Sequence, residues 1–319
     1  MNFKKKLTFM AVFTASAIGT MHVVNRIFSH IALENNLFDE DSFEYYDWRF
    51  GRIAYKKIGQ GAPVLLIHDL NVYSSSYEWY KTAEKLSETN TVYMIDLLGC
   101  GLSDRPLLTY TNFLYVQLLT DFIKHIIGQK TDVIVSGHSS SFVLMACAND
   151  ESIINRVIMI NPEDIINLSK IPTKKSNMIK NLILTPILGT FIYNMRINKK
   201  TIRETLAKAC CSRDSIREKD VLISFESTQR EKAHSKYLYA CQCTGYTNVN
   251  ILNCLKKLNN SIFIITGSKN PENTLAAAQY QNHLPSIEII GIDQTKQLPH
   301  IETPDEFINQ VNIFLSDEE

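Results

Sequence analysis

"VIVSGHSSSF", residues 133–142, is a short apolar run that breaks at Gly137 into three consecutive serines. An almost unbroken apolar run of this length suits a strand buried on both faces. A glycine followed by small hydroxylated residues lets the chain turn sharply out of such a strand and into a helix. That turn has two uses. It is either a serine-capped strand-to-helix joint, or a device that lifts one hydroxyl clear of the strand end. The residues on either side have to decide.

Strand-like and helix-like stretches alternate around it. "FEYYDWRFG" and "RIAYKKIG" are aromatic and β-branched runs meeting at Gly51, a hairpin pattern. "APVLLIHDL", "TVYMIDLLG" and "NRVIMINPED" read as further buried strands. Between them lie helical stretches, "SYEWYKTAEKLSE" and "TNFLYVQLLTDFIKHIIG". In the second, Thr111 or Asn112 is the expected N-cap and Gly128 the stop. From about 165 to 250 the alternation gives way to charged, helix-forming segments, after which "SIFIITGS" and "IEIIGI" supply two more strands. Alternation of this kind predicts a mostly parallel, eight-stranded α/β sheet with helices on both faces and a helical lid inserted after strand six. The expected division is 1–30 as an N-terminal segment, 43–164 and 251–319 as two parts of one core, and 165–250 as the lid.

Composition excludes some roles. The 319 residues are 45% apolar, and 33 basic residues balance 33 acidic ones. No basic stripe is interleaved with aromatics, so a nucleic-acid partner is not expected. The N-terminus, "MNFKKKLTFMAVFTASAIGTMHVVNRIF", places three lysines before an uncharged stretch from Leu7 to Val24. This reads either as an uncleaved membrane anchor or as a signal peptide cut after "ASA" (15–17). The lysines favour an inside N-terminus and an exported domain. The seven cysteines, odd in number and in no metal-ligand spacing, read as free thiols and favour a reducing compartment. Sidedness and oligomeric state stay open at this level, and no metal or organic cofactor is implied.

From about 43 to 316 the chain resembles the α/β-hydrolase family. The likeness rests on an ordered set, "LLIHDLNVYSSSYEW", "MIDLLGCGLSDRP", "SGHSSS", "IITGSKNPEN" and "LPHIETPDEF". The resemblance implies a nucleophile elbow at Gly137-His138-Ser139-Ser140-Ser141 with Ser139 as nucleophile. Serine needs a base to take its proton, and the resemblance assigns that role to His300. The N–H groups of Leu70 and Ser140 would form the oxyanion hole. The acid is less well marked. Asn270 stands where the family carries aspartate after the seventh strand, which leaves Glu272 nearby, or Glu163 and Asp164 after the sixth. A second departure is Asp69, which replaces the glycine of the family's His-Gly pair.

Two functions are then expected. The first is a membrane-associated serine hydrolase cleaving a small-molecule or lipid-like ester, amide or lactone. The alternative is a catalytically silent binding or scaffold protein of the same fold, favoured by Asn270 and Asp69.

Overall fold

A computed structural model describes residues 3–316. Met1 and Asn2, at the head of the expected N-terminal segment, and 317–319, at the end of the expected core, lie outside the described residues. Eight strands form one sheet: β1 (Glu44–Trp48), β2 (Gly51–Ile58), β3 (Ala62–Ile67), β4 (Asn90–Ile95), β5 (Thr131–Ser136), β6 (Ile154–Ile160), β7 (Ser261–Gly267) and β8 (Glu288–Ile292). Their order is β1-β2-β4-β3-β5-β6-β7-β8. The expected hairpin is present, with Trp48 opposite Gly51. β2 also runs antiparallel to β4, and every other pairing is parallel.

Helices fill the connections. α1 (Phe3–Leu33) precedes the sheet, α2 (Ala83–Leu86) follows β3, α3 (Asn112–Phe122) follows β4 and α4 (Ser140–Asn149) follows β5. Between β6 and β7 come α5 (Ile165–Leu168), α6 (Lys174–Leu184), α7 (Ile187–Arg196), α8 (Lys199–Ala209), α9 (Glu218–Ala233), α10 (Lys236–Gln242) and α11 (Leu252–Leu255). α12 (Pro271–His283), α13 (Pro299–Glu302) and α14 (Pro304–Ser316) complete the chain. Thr111 caps α3, accepting from the Leu114 N–H, and Gly128 ends the helical run with φ 75°. The "SYEWYKTAEKLSE" stretch is not one helix. It is a 3-10 turn at Ser76–Trp79 followed by the single turn of α2. Trp79 is fully buried there, so tertiary packing outweighs helix propensity.

Alternate residues of the central strands point to opposite faces, and two apolar layers result. Leu65, Ile67, Val133 and Val135 pack with Tyr115 and Phe142 on one side, while Val64, Leu66 and Ile134 pack with Phe307 and Val311 on the other. The helices inserted between β6 and β7 are tied to the loop after β4 by Arg105. Its buried guanidinium donates to the carbonyls of Ser103, Gly101 and Ser227 at 2.8, 2.6 and 3.0 Å, and to Ser235 Oγ at 2.8 Å. α1 holds the same inserted helices. Asn25 Nδ2 donates to the Ile187 carbonyl at 3.0 Å, and the Phe28 and Phe225 rings meet edge to face. Before that point α1 projects an apolar surface into solvent, with Phe3, Leu7, Phe9, Val12, Phe13 and Ile18 exposed.

Candidate active site

The parallel strands deliver their C-terminal ends to one edge, where β3 and β5 lie side by side with Ile67 opposite Val135. β5 ends at Ser136 and Gly137 makes the turn, with φ 55° in the left-handed region. Gly137–Ser139 then form one 3-10 turn that runs into α4. Ser139 has helical dihedrals, φ −61° and ψ −23°, and no exposed surface. Its Oγ donates to the His68 carbonyl at 2.7 Å. A nucleophile elbow holds its nucleophile on the strained residue of the turn, and here that residue is Gly137. Ser139 sits two positions further along, under the helix start. Ser140 is equally buried, and Ser141 Oγ donates back to the His138 carbonyl at 2.9 Å.

The N–H after the strained residue is that of His138, and it is already occupied. It donates to Asp69 Oδ1 at 2.9 Å, and the Leu70 N–H also stabilises this carboxylate. Asp69 therefore occupies both of these N–H groups. The approach is tight enough that a Cβ on residue 137 would lie 2.4 Å from Asp69 Oδ1, which is a reason for glycine beyond the dihedral. Burial raises the Asp69 carboxyl, helped by the neighbouring Glu78, up to about 7. Glu78 Oε2 accepts the Asp69 N–H at 3.1 Å. Burial pushes the Glu78 carboxyl up too, but the His300 and His68 imidazoles and the Ser136 hydroxyl outweigh it, and it sits below the usual range.

His300 lies on α13 with no exposed surface, packed against Trp79 at 5.0 Å and Phe307 at 5.8 Å between ring centres. Its Nε2 is 3.2 Å from Glu78 Oε1, an ion-pair distance. Neither ring nitrogen has an aligned hydrogen bond, and Ser139 Oγ is spent on His68. The expected Ser139–His300 bond is thus not made, because the turn comes two residues early and the imidazole faces the aromatic layer. Among the described residues, the four candidates for the third position form no ion pair or hydrogen bond with His300 either. Asn270 caps α12, accepting from the Glu272 N–H at 3.3 Å. Asp164 caps α5 and accepts from Gln279 Nε2 at 2.6 Å, while Glu163 accepts from Asn167 Nδ2 at 3.3 Å. The carboxylate at His300 is Glu78, which no motif marked. His68 is structural: the Leu97 N–H donates to Nε2 at 3.0 Å, so Nδ1 carries the proton and donates to the Asp69 carbonyl at 2.7 Å.

Above the elbow lies a cavity of 480 Å³ whose walls include Asp69, Gly137, His138, Glu163, Asn270 and Gln297. Asn161 fixes Gln297 there, its Nδ2 donating to the Lys296 and Gln297 carbonyls at 3.0 and 2.9 Å. His138 contributes the imidazole that faces this space, and its Nε2 is engaged with the Thr247 carbonyl at 3.1 Å. A smaller cavity of 180 Å³ shares Asp69 and Gln297 and adds Tyr73, Tyr77 and Tyr80. Among the described residues, no group of three or more His, Cys, Asp or Glu side chains is arranged to hold a metal ion.

The sheet and its flanking helices agree with comparison by sequence. Residues 64–310 match a model of the Alpha/beta hydrolase family. The chain belongs to the α/β-hydrolase family. Among curated relatives, Uncharacterized protein Rv2715 of Mycobacterium tuberculosis (strain ATCC 25618 / H37Rv) is 24% identical over 136 residues, 43% of this chain. The match spans only 37% of that protein's length. Solved structures share the architecture. The meta-cleavage product hydrolase CumD of Pseudomonas fluorescens IP01 superposes with TM-score 0.69 at 16% identity, covering 86% of this chain and 98% of its own. Est816, described as an N-acyl homoserine lactone degrading enzyme, gives 0.67 at 15% identity over 85% and 100%. A membrane phospholipase A, described as a bacterial virulence factor, gives 0.66 at 15% identity over 98% of both chains. At these identities the likeness is one of fold. Within that α/β-hydrolase fold, this chain places glycine at the turn after β5 and the Asp69 carboxyl on the His138 and Leu70 N–H groups.

Proposed function

We propose that this chain is a catalytically silent α/β-hydrolase that binds a small polar ligand over the elbow and is held at a membrane by α1. One observation carries the reading: Asp69 Oδ1 rests on the His138 N–H at 2.9 Å. Acyl transfer gains much of its rate from N–H donors that receive the oxyanion formed during attack, and losing one such donor costs roughly 10²–10³ in turnover. Here the resident Asp69 carboxyl takes those donors and leaves neither free for an oxyanion. A nucleophile must also touch its substrate, whereas Ser139 and His300 are both wholly buried. The cavity walls carry amide and carboxylate groups, among them Asn161, Asn270, Gln297 and Glu163, which suit a ligand rich in hydroxyl or amine groups.

Membrane attachment is supported by composition. Residues Lys5–Leu33 form a helix long enough to cross a bilayer, with an unburied 18-residue window of mean hydropathy 1.6. A leader sequence has the same character, and in the purified protein its retention at Met1 separates the two.

The second reading, a serine hydrolase, is favoured by the position of Ser139 two residues beyond the elbow, where a slip of β5 by two residues would bring its hydroxyl to the turn. Turnover of p-nitrophenyl acetate and butyrate by the purified full-length chain tests the proposal. It predicts the same rate for wild type and Ser139→Ala. A wild-type rate abolished by Ser139→Ala would establish the hydrolase instead.

A further inference from the structure

Between α1 and the inserted helices lies a second cavity, 560 Å³ in volume and remote from the elbow. Its wall combines cations, Arg26 of α1, Lys232 of α9 and Lys236 of α10, the last already bonded to Thr185 and Thr190, with an apolar side that includes Leu184, Ile187 and Tyr237. Among the described residues no carboxylate lines it. The nearest acid in sequence, Glu231, turns instead toward Arg105 and His234, at 3.8 and 3.9 Å.

Two features suggest that the space is built for a ligand. Gln229 lines the cavity with no exposed surface, and its Oε1 has no hydrogen-bond partner. Its own Nε2 donates to Asn194 Oδ1 at 2.9 Å, and Asn194 Nδ2 donates to Asn25 Oδ1 at 3.0 Å. That amide chain runs from α9 to α1 and leaves Gln229 Oε1, itself without exposed surface, as an unpaired acceptor behind the cavity wall. A buried acceptor left unpaired is costly, and a ligand hydroxyl that displaces the wall there would satisfy it. The second feature is backbone strain. Glu231, Lys232 and Ala233 have φ of 50°, 59° and 61°, three consecutive non-glycine residues in the left-handed region. Such conformations persist where the surroundings impose them, and they cluster at ligand clamps. This break in α9 sets Lys232 and Ala233 into the cavity wall.

Position supplies the ligand class. The uncharged run of α1, Leu7 to Val24, ends just before Asn25 and Arg26, where its attachment to the inserted helices begins. With that part inserted in a bilayer, the cavity lies at the membrane surface. We propose that it binds the headgroup of an anionic glycerophospholipid, the phosphate meeting Arg26 and Lys232, a glycerol hydroxyl donating to Gln229 Oε1, and the acyl chains leaving along the apolar side. This rests on the membrane reading above, though not on whether the elbow is silent.

The test is isothermal titration calorimetry of the full-length chain in non-ionic detergent with short-chain phosphatidylglycerol and phosphatidylcholine. Saturable phosphatidylglycerol binding is expected, roughly five- to tenfold weaker for phosphatidylcholine, and weakened by the same factor in Arg26→Glu and in Lys232→Glu but not in Lys232→Arg. Equal affinity for the two lipids, or affinity unchanged by either charge reversal, would overturn the proposal. So would inorganic phosphate binding as tightly as the lipid, which would mark a site for a free anion. Arg26 stands on the exposed helix, so Arg26→Glu carries the comparison if Lys232→Glu does not fold, as judged by circular dichroism. Cosedimentation with phosphatidylcholine vesicles reads membrane attachment by itself. A chain that binds the short-chain lipid but fails to sediment refutes the membrane reading and with it the headgroup proposal's setting, leaving a soluble amphiphile site in its place.

Discussion

Asp69 and Glu78 are neighbouring carboxyls, linked by the Asp69 N–H donating to Glu78, and their environments drive them apart: the first is raised to about 7, the second lowered. An unfolded aspartate titrates near 3.9. Between that value and about 7 the folded chain keeps a proton on Asp69 that the unfolded chain has released. The contribution of Asp69 to stability is therefore whole below about pH 4 and is lost as the pH climbs through 7, a change on the order of 4 kcal/mol. Glu78 runs the other way, its stabilisation present above the unfolded value and lost in acid. Asp69→Asn keeps an acceptor for the His138 N–H and removes the titration. We expect its stability relative to wild type to rise by roughly 2–4 kcal/mol between pH 4 and pH 8 in urea unfolding. A constant difference across that range would contradict the assigned environment. The importance of Asp69 was legible in the sequence, because it replaces glycine in a motif whose neighbours are intact. Glu78 was not, since one acid in the aromatic stretch "SYEWY" carries no signal until the fold brings α13 against it.

The strands and most helices follow from patterning: apolar runs gave the parallel strands, and Thr111 and Gly128 bounded α3. What patterning cannot see is where a strand stops against its neighbour. "SGHSSS" contains a glycine and a serine two apart, and either can occupy the turn. The pairing of Ile67 with Val135 selects Gly137. The same limit hid the role of His300, whose flanking "LPHIETP" fits a catalytic loop while the packing of Trp79 and Phe307 draws the ring inward. Gln297, three residues earlier, faces the cavity. A double-mutant cycle tests this local arrangement. Gly137→Ala should cost about 2–4 kcal/mol, from left-handed strain and from the clash with Asp69. In an Asp69→Gly background only the strain of roughly 1–2 kcal/mol should remain. Chemical denaturation measures both, and additivity within about 0.5 kcal/mol would show that the two residues are not in contact.

At the scale of the whole molecule, the α/β-hydrolase sheet, the helices inserted after β6 and the apolar α1 form one continuous structure. Arg105 joins the insertion to the core, and Asn25 and Phe28 join it to α1. The order of elements was legible from the first, since an ordered set of strand-end motifs fixes the topology. Activity was not, because it depends on which backbone N–H groups and which hydroxyl reach the cavity. The inserted helices and α1 enclose a further space, and among the described residues Ser139 lines neither that space nor the cavity over the elbow. The central claim concerns that serine. Intact-mass analysis of the full-length chain after incubation with a fluorophosphonate reads it directly. The account predicts no adduct on folded protein, and an adduct present in wild type but absent in Ser139→Ala would contradict it.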